Sequence, residues 1–551
     1  MTHDFLASPP PPAPARPIVW SIAGTDSGGG AGLSADQRAA DACHVHLCPV
    51  VAAVTAQNSQ AVTHIHPVPP EVLDAQLAAL FEDMPPAAIK TGLLGSAENV
   101  AVLAHWIDRL RARDPRVALV IDPVLRASTG AALADDALLR AYVTELLPRA
   151  SLITPNAAEA ARLAAALGPD VPASLPALAR VLRAAGAQAV AITGGDSPLA
   201  DGLSLDWADT PHASGWLALP RVATPHGHGT GCTFATSAAA ALARGFVAAD
   251  ALVLAKMATT AALCHGWAAG HGAGPVGAHA GFAAEPALMP CMSWDESYDF
   301  NSYKSPPDAR KWPFSPPHHS PALYAITDNA LHLRQAVQAG VRLVQLRIKT
   351  PAAPDAAWHT ALRQAMAQAL ADCRAAGATL VVNDHWRLAA ELAAGQPAGL
   401  AIHLGQEDLL ALGPAGRAAL AVSGLPLGIS SHSLWELARA RSLRPWYVAC
   451  GPVWPTLTKA MPWLPQGLHN LAWWVRMAGG PVVAIGGILQ HEQASAAAQT
   501  GAAAVCVVRG LGSTPAHTAP GWQAAIDVGH AATRLPAPAW PQPSLGTPAS
   551  L

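Results

Sequence analysis

The chain has 551 residues, of which 51% are hydrophobic and only 13% charged, with a formal net charge of −3. That length asks for more than one domain, and the composition supplies large cores and excludes a globally disordered chain. The near-neutral balance excludes a nucleic-acid-binding face spread over the surface, and eight cysteines without a C-x-x-C pair match neither a disulfide framework nor a zinc site.

Residues 1–17 form a Pro-rich tail, expected to be extended. Over 18–284, short β-branched runs alternate with Ala/Leu-rich stretches. The strand-like runs include I-V-W-S-I-A (18–23), A-L-V-I-D (118–122), L-I-T (152–154) and A-V-A-I-T (189–193), and helical stretches include 71–81, 97–113 and 156–167. This alternation predicts a doubly wound α/β domain. Residues 285–320 lose the periodicity to proline, aromatics and polar residues, and read as an interdomain linker. From 321 to 534 a second alternation places eight strand-like runs, at 323–327, 343–347, 379–383, 400–404, 427–430, 446–450, 481–485 and 504–508. Eight such units in this length predict a (β/α)8 barrel. Residues 535–551 read as a disordered Pro/Ala/Ser tail. The N-terminus lacks the charged and apolar regions of a signal peptide, and no uninterrupted apolar run reaches membrane-spanning length. A soluble, cytoplasmic protein is expected, with small-molecule partners rather than nucleic acid or membrane; a homo-oligomer is compatible with this composition.

In α/β proteins the active-site groups sit just past the carboxyl ends of strands. In the second half those ends carry a constellation. Strand two ends in Q-L-R-I-K, which puts Gln345, Arg347 and Lys349 on one face. A barrel interior rarely tolerates such cations unless anions meet them. Strand three ends in Asn383 and Asp384, strand four leads to H-L-G-Q-E-D with Asp408, and strand five ends in Ser430. Asp384 and Asp408 could share one hard cation such as Mg2+, leaving positions for phosphate oxygens. G-P-V-W-P-T-L-T-K (451–459) follows strand six, and A-I-G-G-I (484–488) and V-V-R-G (507–510) close the set. Gly487, Val508 and Arg509 lie where barrels cradle a phosphate.

Jointly, Q-L-R-x-K, N-D, H-L-G-Q-E-D, G-P-V-x-P-T-x-T-K and A-I-G-G-I resemble thiamine phosphate synthases over about 323–510. The resemblance implies a TIM barrel that joins hydroxymethylpyrimidine pyrophosphate to thiazole phosphate and releases pyrophosphate. It implies Mg2+ on Asp384 and Asp408, pyrophosphate on Arg347, Lys349, Asn383, Ser430 and Lys459, and the pyrimidine facing Gln345. Thr456, Thr458 and Gly487 would receive the thiazole phosphate. Arg509 stands where the family usually has Ser, and I-S-S-H-S (429–433) replaces a common V-S-T-H-T.

In the first half, H-G-H-G-T-G-C-T (226–233) precedes an apolar helical stretch, so glycines free the backbone to wrap an anion at a helix N-terminus. With A-G-T-D-S-G-G-G-A-G-L-S-A-D (23–36), V-T-A-Q-N-S (54–59), I-K-T-G-L-L (89–94), D-P-V-L (122–125) and T-P-N-A-A-E (154–159), it resembles the hydroxymethylpyrimidine/phosphomethylpyrimidine kinases of ribokinase-like fold. The resemblance implies ATP as co-substrate and pyrimidine contacts from Asp36 and Gln57. It implies an anion hole at Gly229, Gly231 and Cys232, with Cys232 as catalytic base, and Asn156 and Glu159 organising Mg2+-ATP. A thiol at a helix N-terminus is expected to have a lowered pKa. Thr193 and Ser128 stand where family members often carry Lys. Two alternatives share this pattern: a pyridoxal/pyridoxine kinase, and a non-catalytic pyrimidine-binding module attached to an active synthase.

Overall fold

The computed structural model describes residues 15–125, 135–195, 202–297, 322–393, 395–456 and 462–546. In the first half the strands are β1 (Ile18–Gly24), β2 (His46–Gln57), β3 (Val62–Pro67), β4 (Ala88–Thr91), β5 (Ala118–Ile121), β6 (Leu152–Ile153), β7 (Val190–Thr193), β8 (Leu203–Asp209), β9 (Ser214–Pro220) and β10 (Cys291–Met292). They form one sheet in the order β10-β9-β8-β7-β6-β5-β4-β1-β2-β3. From β2 to β7 the neighbours are parallel, while β3 and the β8–β10 end are antiparallel. The central strands β4 and β5 are buried along their whole length, as strands covered by helices on both faces must be.

The domain boundary differs from expectation. Cys291 and Met292 pair with Ala218 and Leu217 of β9, so the sheet continues past residue 284 into the segment read as linker. The apolar run L-M-P-C-M (288–292) is long enough to complete an edge but too short to carry a periodic signal.

In the second half β11 (Ala322–Thr327), β12 (Leu343–Leu346), β13 (Thr379–Asn383), β14 (Leu400–Leu404), β15 (Leu427–Ser431), β16 (Tyr447–Cys450), β17 (Val482–Ala484) and β18 (Ala504–Val507) close into a barrel. All eight pairings are parallel, β11 with β18 included. The eight expected runs each become one strand.

The two halves share one apolar cluster, which runs from the helix Ala248–Cys264 of the first into the barrel helices of the second. Directional contacts fix the packing. Trp473 Nε1 donates to Ala283 O at 2.7 Å, Trp294 Nε1 to Ser442 Oγ at 3.0 Å, and Arg439 to Ser214 O at 3.0 Å. Arg417 pairs with Asp295.

The tail expected to be disordered from 535 is packed as far as 546, which corrects that reading for these residues. Trp540 is buried against Phe282, under the Arg244 guanidinium at 4.3 Å. Asn470 and Gln542 exchange two hydrogen bonds, of 2.7 and 3.0 Å, and Leu464 N donates to Ser544 O at 2.8 Å. A Pro/Ala/Ser composition hides one aromatic anchor, and the anchor decides. Trp540→Ala is expected to destabilise the protein by roughly 3 kcal/mol or more, read as a shift in the urea unfolding midpoint of the full chain.

Candidate active sites

At the barrel mouth the period-two alternation of β12 turns Gln345 inward, where it is buried and donates to Tyr324 Oη at 2.7 Å. The contact continues as a row: Tyr324 Oη to Tyr447 Oη at 2.8 Å, Tyr447 Oη to His403 Nδ1 at 2.8 Å, and His403 Nε2 to Ser430 Oγ at 2.8 Å. Gly428 makes room for it, since a Cβ there would lie 2.1 Å from the Tyr447 ring. Burial, helped by Arg347, pushes His403 down to about 4, so the imidazole is neutral at pH 7. Tyr324, His403 and Tyr447 were not foreseen as site residues. Their signal was their inward register on β11, β14 and β16, but aromatic residues in strands are commonplace.

Asp384 follows β13 with φ 65°, a left-handed conformation rare for a residue with a side chain and found where surroundings over-determine it. It reaches solvent at the rim. Partial burial and the neighbouring Asp408 raise its carboxyl above the usual range, against the opposing pull of His385 and Arg347. Asn383 is buried beside it and hydrogen-bonds to it. Asp408 opens the short helix Gln406–Ala411 and accepts from Gly405 N at 2.9 Å. The structure thus brings Arg347, Asn383, Asp384, Asp408 and Ser430 to one mouth, with Lys349 exposed two residues beyond Arg347. Two neighbouring carboxylates suit a cation that takes one or two protein carboxylates and fills its shell with water and phosphate oxygens. Among the described residues no group of three or more His, Cys, Asp or Glu could hold a metal.

Gly486 and Gly487 follow β17 with φ 93° and 73°. A Cβ on Gly487 would lie 2.5 Å from Trp454 O, so the pair packs beneath the segment that leads to the half-buried Thr456. Val508 and Arg509 are exposed at the end of β18. Thr458 and Lys459 lie outside the described residues.

In the first half, the loop after β1 folds around its own aspartate. Asp26 accepts from the amides of Gly28, Gly30 and Ala31 at 2.8, 2.9 and 2.8 Å and contacts His228 Nε2 at 3.0 Å. Burial opposes its charge, but these bonds, His228 first, hold the carboxyl below its usual range. This glycine segment therefore has its amides filled. Gln57 Nε2 lies 3.1 Å from His228 Nε2, which places Gln57 at the seam of the two glycine loops. Neither His228 nor Asp26 was foreseen. The loops touch: Gly229, at φ 88°, would drive a Cβ to 2.3 Å from Gly30 O. Gly231, one residue into the helix Thr230–Ala243, is exposed and a Cβ there would meet open space. The free helix end is therefore at 229–232.

Asp36 departs from expectation. It is fully buried, and its carboxylate accepts from Ser21 Oγ at 2.6 Å, Thr236 Oγ1 at 2.7 Å and Lys90 Nζ at 2.9 and 3.0 Å. Both oxygens are engaged by the protein, so Asp36 fixes Lys90 beneath the site instead of offering itself to a pyrimidine. Cys232 departs too. Burial pushes its thiol up to about 12, and the helix terminus, its contact with Gly32 N and the Lys90 ammonium do not reverse this. That direction runs against the expected lowered pKa, since desolvation of a thiolate opposes the helix dipole, although Cys232 keeps part of its surface exposed. Asn156 and Glu159 form a reciprocal capping box on the helix Ala157–Leu167. Burial and Asp122 push Glu159 up to about 7. Thr193 is partnered in the sheet by Asp206, whose carboxylate accepts from Gly194 N at 3.0 Å and meets Lys256 Nζ at 2.8 Å. Ser128 lies outside the described residues.

These two sites define two phosphate chemistries on one chain, a ribokinase-like small-molecule kinase followed by a TIM-barrel synthase. Residues 26–277 match the phosphomethylpyrimidine kinase family model, and residues 323–511 match that of thiamine monophosphate synthase. The chain belongs to the bifunctional thiamine biosynthetic enzymes, with hydroxymethylpyrimidine/phosphomethylpyrimidine kinase and thiamine phosphate synthase domains, and ATP is the kinase co-substrate. It is 32% identical over 488 residues to the chloroplastic thiamine biosynthetic bifunctional enzyme of Arabidopsis thaliana, covering 86% of this chain and 85% of that one. It is 43% identical to the hydroxymethylpyrimidine/phosphomethylpyrimidine kinase of Synechococcus elongatus, covering 48% of this chain and 97% of that one. The ADP complex of Staphylococcus aureus pyridoxal kinase is similar at 28% identity and a TM-score of 0.43, covering 48% of this chain and 93% of that one. The pyridoxal kinase and non-catalytic readings are not favoured. No helix among the described residues is long and apolar enough to cross a membrane.

Proposed function

We propose that the kinase half phosphorylates hydroxymethylpyrimidine twice, and that the barrel condenses the resulting pyrophosphate with thiazole phosphate at the Arg347–Asn383–Asp384–Asp408–Ser430 mouth. The observation that carries this reading is the meeting of those five side chains from four successive strand ends. In the barrel, Asp384 and Asp408 would hold Mg2+, which would supply neutralising charge to the pyrophosphate. Arg347, Lys349, Asn383, Ser430 and Lys459 bind that group's oxygens. The buried row from Gln345 to Ser430 forms the floor on which the pyrimidine ring rests. Thr456, Thr458, Gly487, Val508 and Arg509 receive the thiazole phosphate on the far side. Pyrophosphate leaves from a benzylic-type carbon, the ring amino group stabilises the cation, and the thiazole nitrogen captures it. The protein's part is to stabilise departing charge and hold the nucleophile in line.

In the kinase half, the amides of Gly229, Gly231 and Cys232 donate hydrogen bonds to the transferring phosphoryl group, Gln57 meets the pyrimidine, and Asn156 and Glu159 would organise Mg2+-ATP. A thiol held protonated positions the attacking hydroxyl, whose proton passes to a phosphoryl oxygen as the new O–P bond forms, a small loss in phosphoryl transfer, where positioning and charge dominate. Incubation with hydroxymethylpyrimidine, ATP, Mg2+ and thiazole phosphate is expected to yield thiamine phosphate by mass spectrometry. Cys232→Ser is expected to keep kinase turnover within about tenfold; a larger loss would restore the thiol as base, and no product from the wild type would sink the reading.

A further inference from the structure

One buried carboxylate serves neither site directly. Asp250 lies in the kinase half, in the first turn of the helix Ala248–Cys264, and is 1% exposed. Its Oδ1 accepts from Trp435 N at 3.0 Å, and the carboxylate also takes the Leu434 amide. Those amides open the barrel helix Leu434–Ser442, whose own N-cap, Ser433, accepts with its side chain from Glu436 N. So a carboxylate from one domain satisfies two orphan donors of a helix in the other, in the position where negative charge favours a helix end.

That helix begins four residues after Ser430. The intervening turn is tied to it: Glu436 accepts from His432 N at 2.6 Å and contacts His432 Nδ1 at 2.9 Å. Gln406 Nε2 bridges Ser431 Oγ at 3.1 Å and Glu436 O at 3.0 Å. The His432 ring stacks on Trp463 at 5.1 Å, and Trp435 packs against both Trp463 and His212 of the kinase half. A shift of the helix start therefore moves Ser430 and the turn at the synthase mouth. Burial, with Glu436 adding to it, pushes Asp250 up to about 7 against the pull of the two amides, so holding a carboxyl here is costly and an apolar residue would pack more cheaply.

We infer that Asp250 is a positioning residue of the synthase reaction supplied by the kinase domain, setting the start of the Leu434–Ser442 helix and through it the Ser430–His432 turn. This rests on the assignment of Ser430 to the pyrophosphate.

The test uses the full-length protein with preformed hydroxymethylpyrimidine pyrophosphate, so that kinase turnover does not enter. Asp250→Ala is expected to raise the synthase KM for the pyrophosphate about fivefold, the ratio that a lost helix cap converts to. Kinase turnover with hydroxymethylpyrimidine and ATP stays at the wild-type level. Asp250→Asn, which keeps an oxygen acceptor of the same size, is expected to restore KM to within about twofold. An Asp250→Ala protein with a lower melting temperature and unchanged synthase KM would show a mere packing contact and overturn the inference. So would an Asp250→Asn protein as impaired as Asp250→Ala. Ser430→Ala separates the two failures. If it raises KM while Asp250→Ala does not, only the inference falls; if Ser430→Ala leaves KM unchanged, the assignment of Ser430 falls first.

Discussion

Asp384→Ala is expected to lower thiamine phosphate formation from preformed pyrimidine pyrophosphate by at least about a hundredfold, with kinase turnover unchanged. The carboxylate sits at the end of β13 in a left-handed conformation, and burial and then the charge of Asp408 raise its pKa. Such a pair would hold a cation, which would supply the positive charge that pyrophosphate departure needs. Asp384→Asn separates the effects. It keeps the volume, removes the repulsion, and cannot offer the same anionic ligand, so it is expected to melt no lower than wild type in chelator while losing activity as the alanine variant does. Undiminished synthesis by either variant, measured by mass spectrometry at saturating Mg2+, would move the cation elsewhere.

Lys90→Met is expected to destabilise the protein by about 3–5 kcal/mol, the cost of leaving a buried charge without its partner. Lys90 lies on β4 with no exposed surface, 2.9 Å from Asp36 and 3.7 Å from Asp122. Burial works against its charge, yet Asp36 and then Asp122 outweigh this and hold it protonated. Because its folded pKa is raised, its contribution is fully present below the unfolded value and is lost only as pH rises through the folded one. Removing it strands two carboxylates, and burial already pushes Asp122 up to about 6. Protons can relieve that strain, so the deficit against wild type is expected to shrink as pH falls from about 8 to about 5. Equal deficits at both pH values in urea melts would contradict this electrostatic origin. Asp122→Asn in the Lys90→Met background is expected to recover part of the loss.

What the sequence made legible follows from where its information is local. Gln345 and Arg347 announce themselves because β12 alternates and because cations are out of place in a barrel interior. Asn383 and Asp384 do so because they terminate a short apolar run. The Lys90–Asp36 pair is 54 residues apart, and nothing in I-K-T-G names its partner. Tyr324, His403 and Tyr447 come from three strands, and only barrel closure aligns them. Asp250 and Trp435 are separated by 185 residues. Composition misled at Trp540, because a Pro-rich segment needs only one aromatic side chain and a receptive groove to become ordered. At Cys232 the helix N-terminus favours a thiolate and burial opposes it, and the balance depends on packing that the motif does not show.

The Ala248–Cys264 helix has a consequence for how the two reactions are coupled. At one end Asp250 holds the barrel helix behind Ser430; at the other, its backbone runs into Gly266, where a Cβ would lie 2.8 Å from His226 O at the edge of the kinase glycine loop. Seventeen residues at 1.5 Å rise make a rod of about 25 Å. The two reaction centres are thus spaced by a folded spacer, and the peptide joining the halves does not set their separation. The distance between the two centres is therefore a property of the packed structure. Lengthening the covalent connection should leave that distance untouched, whereas loosening the grip at either end of the helix would change it.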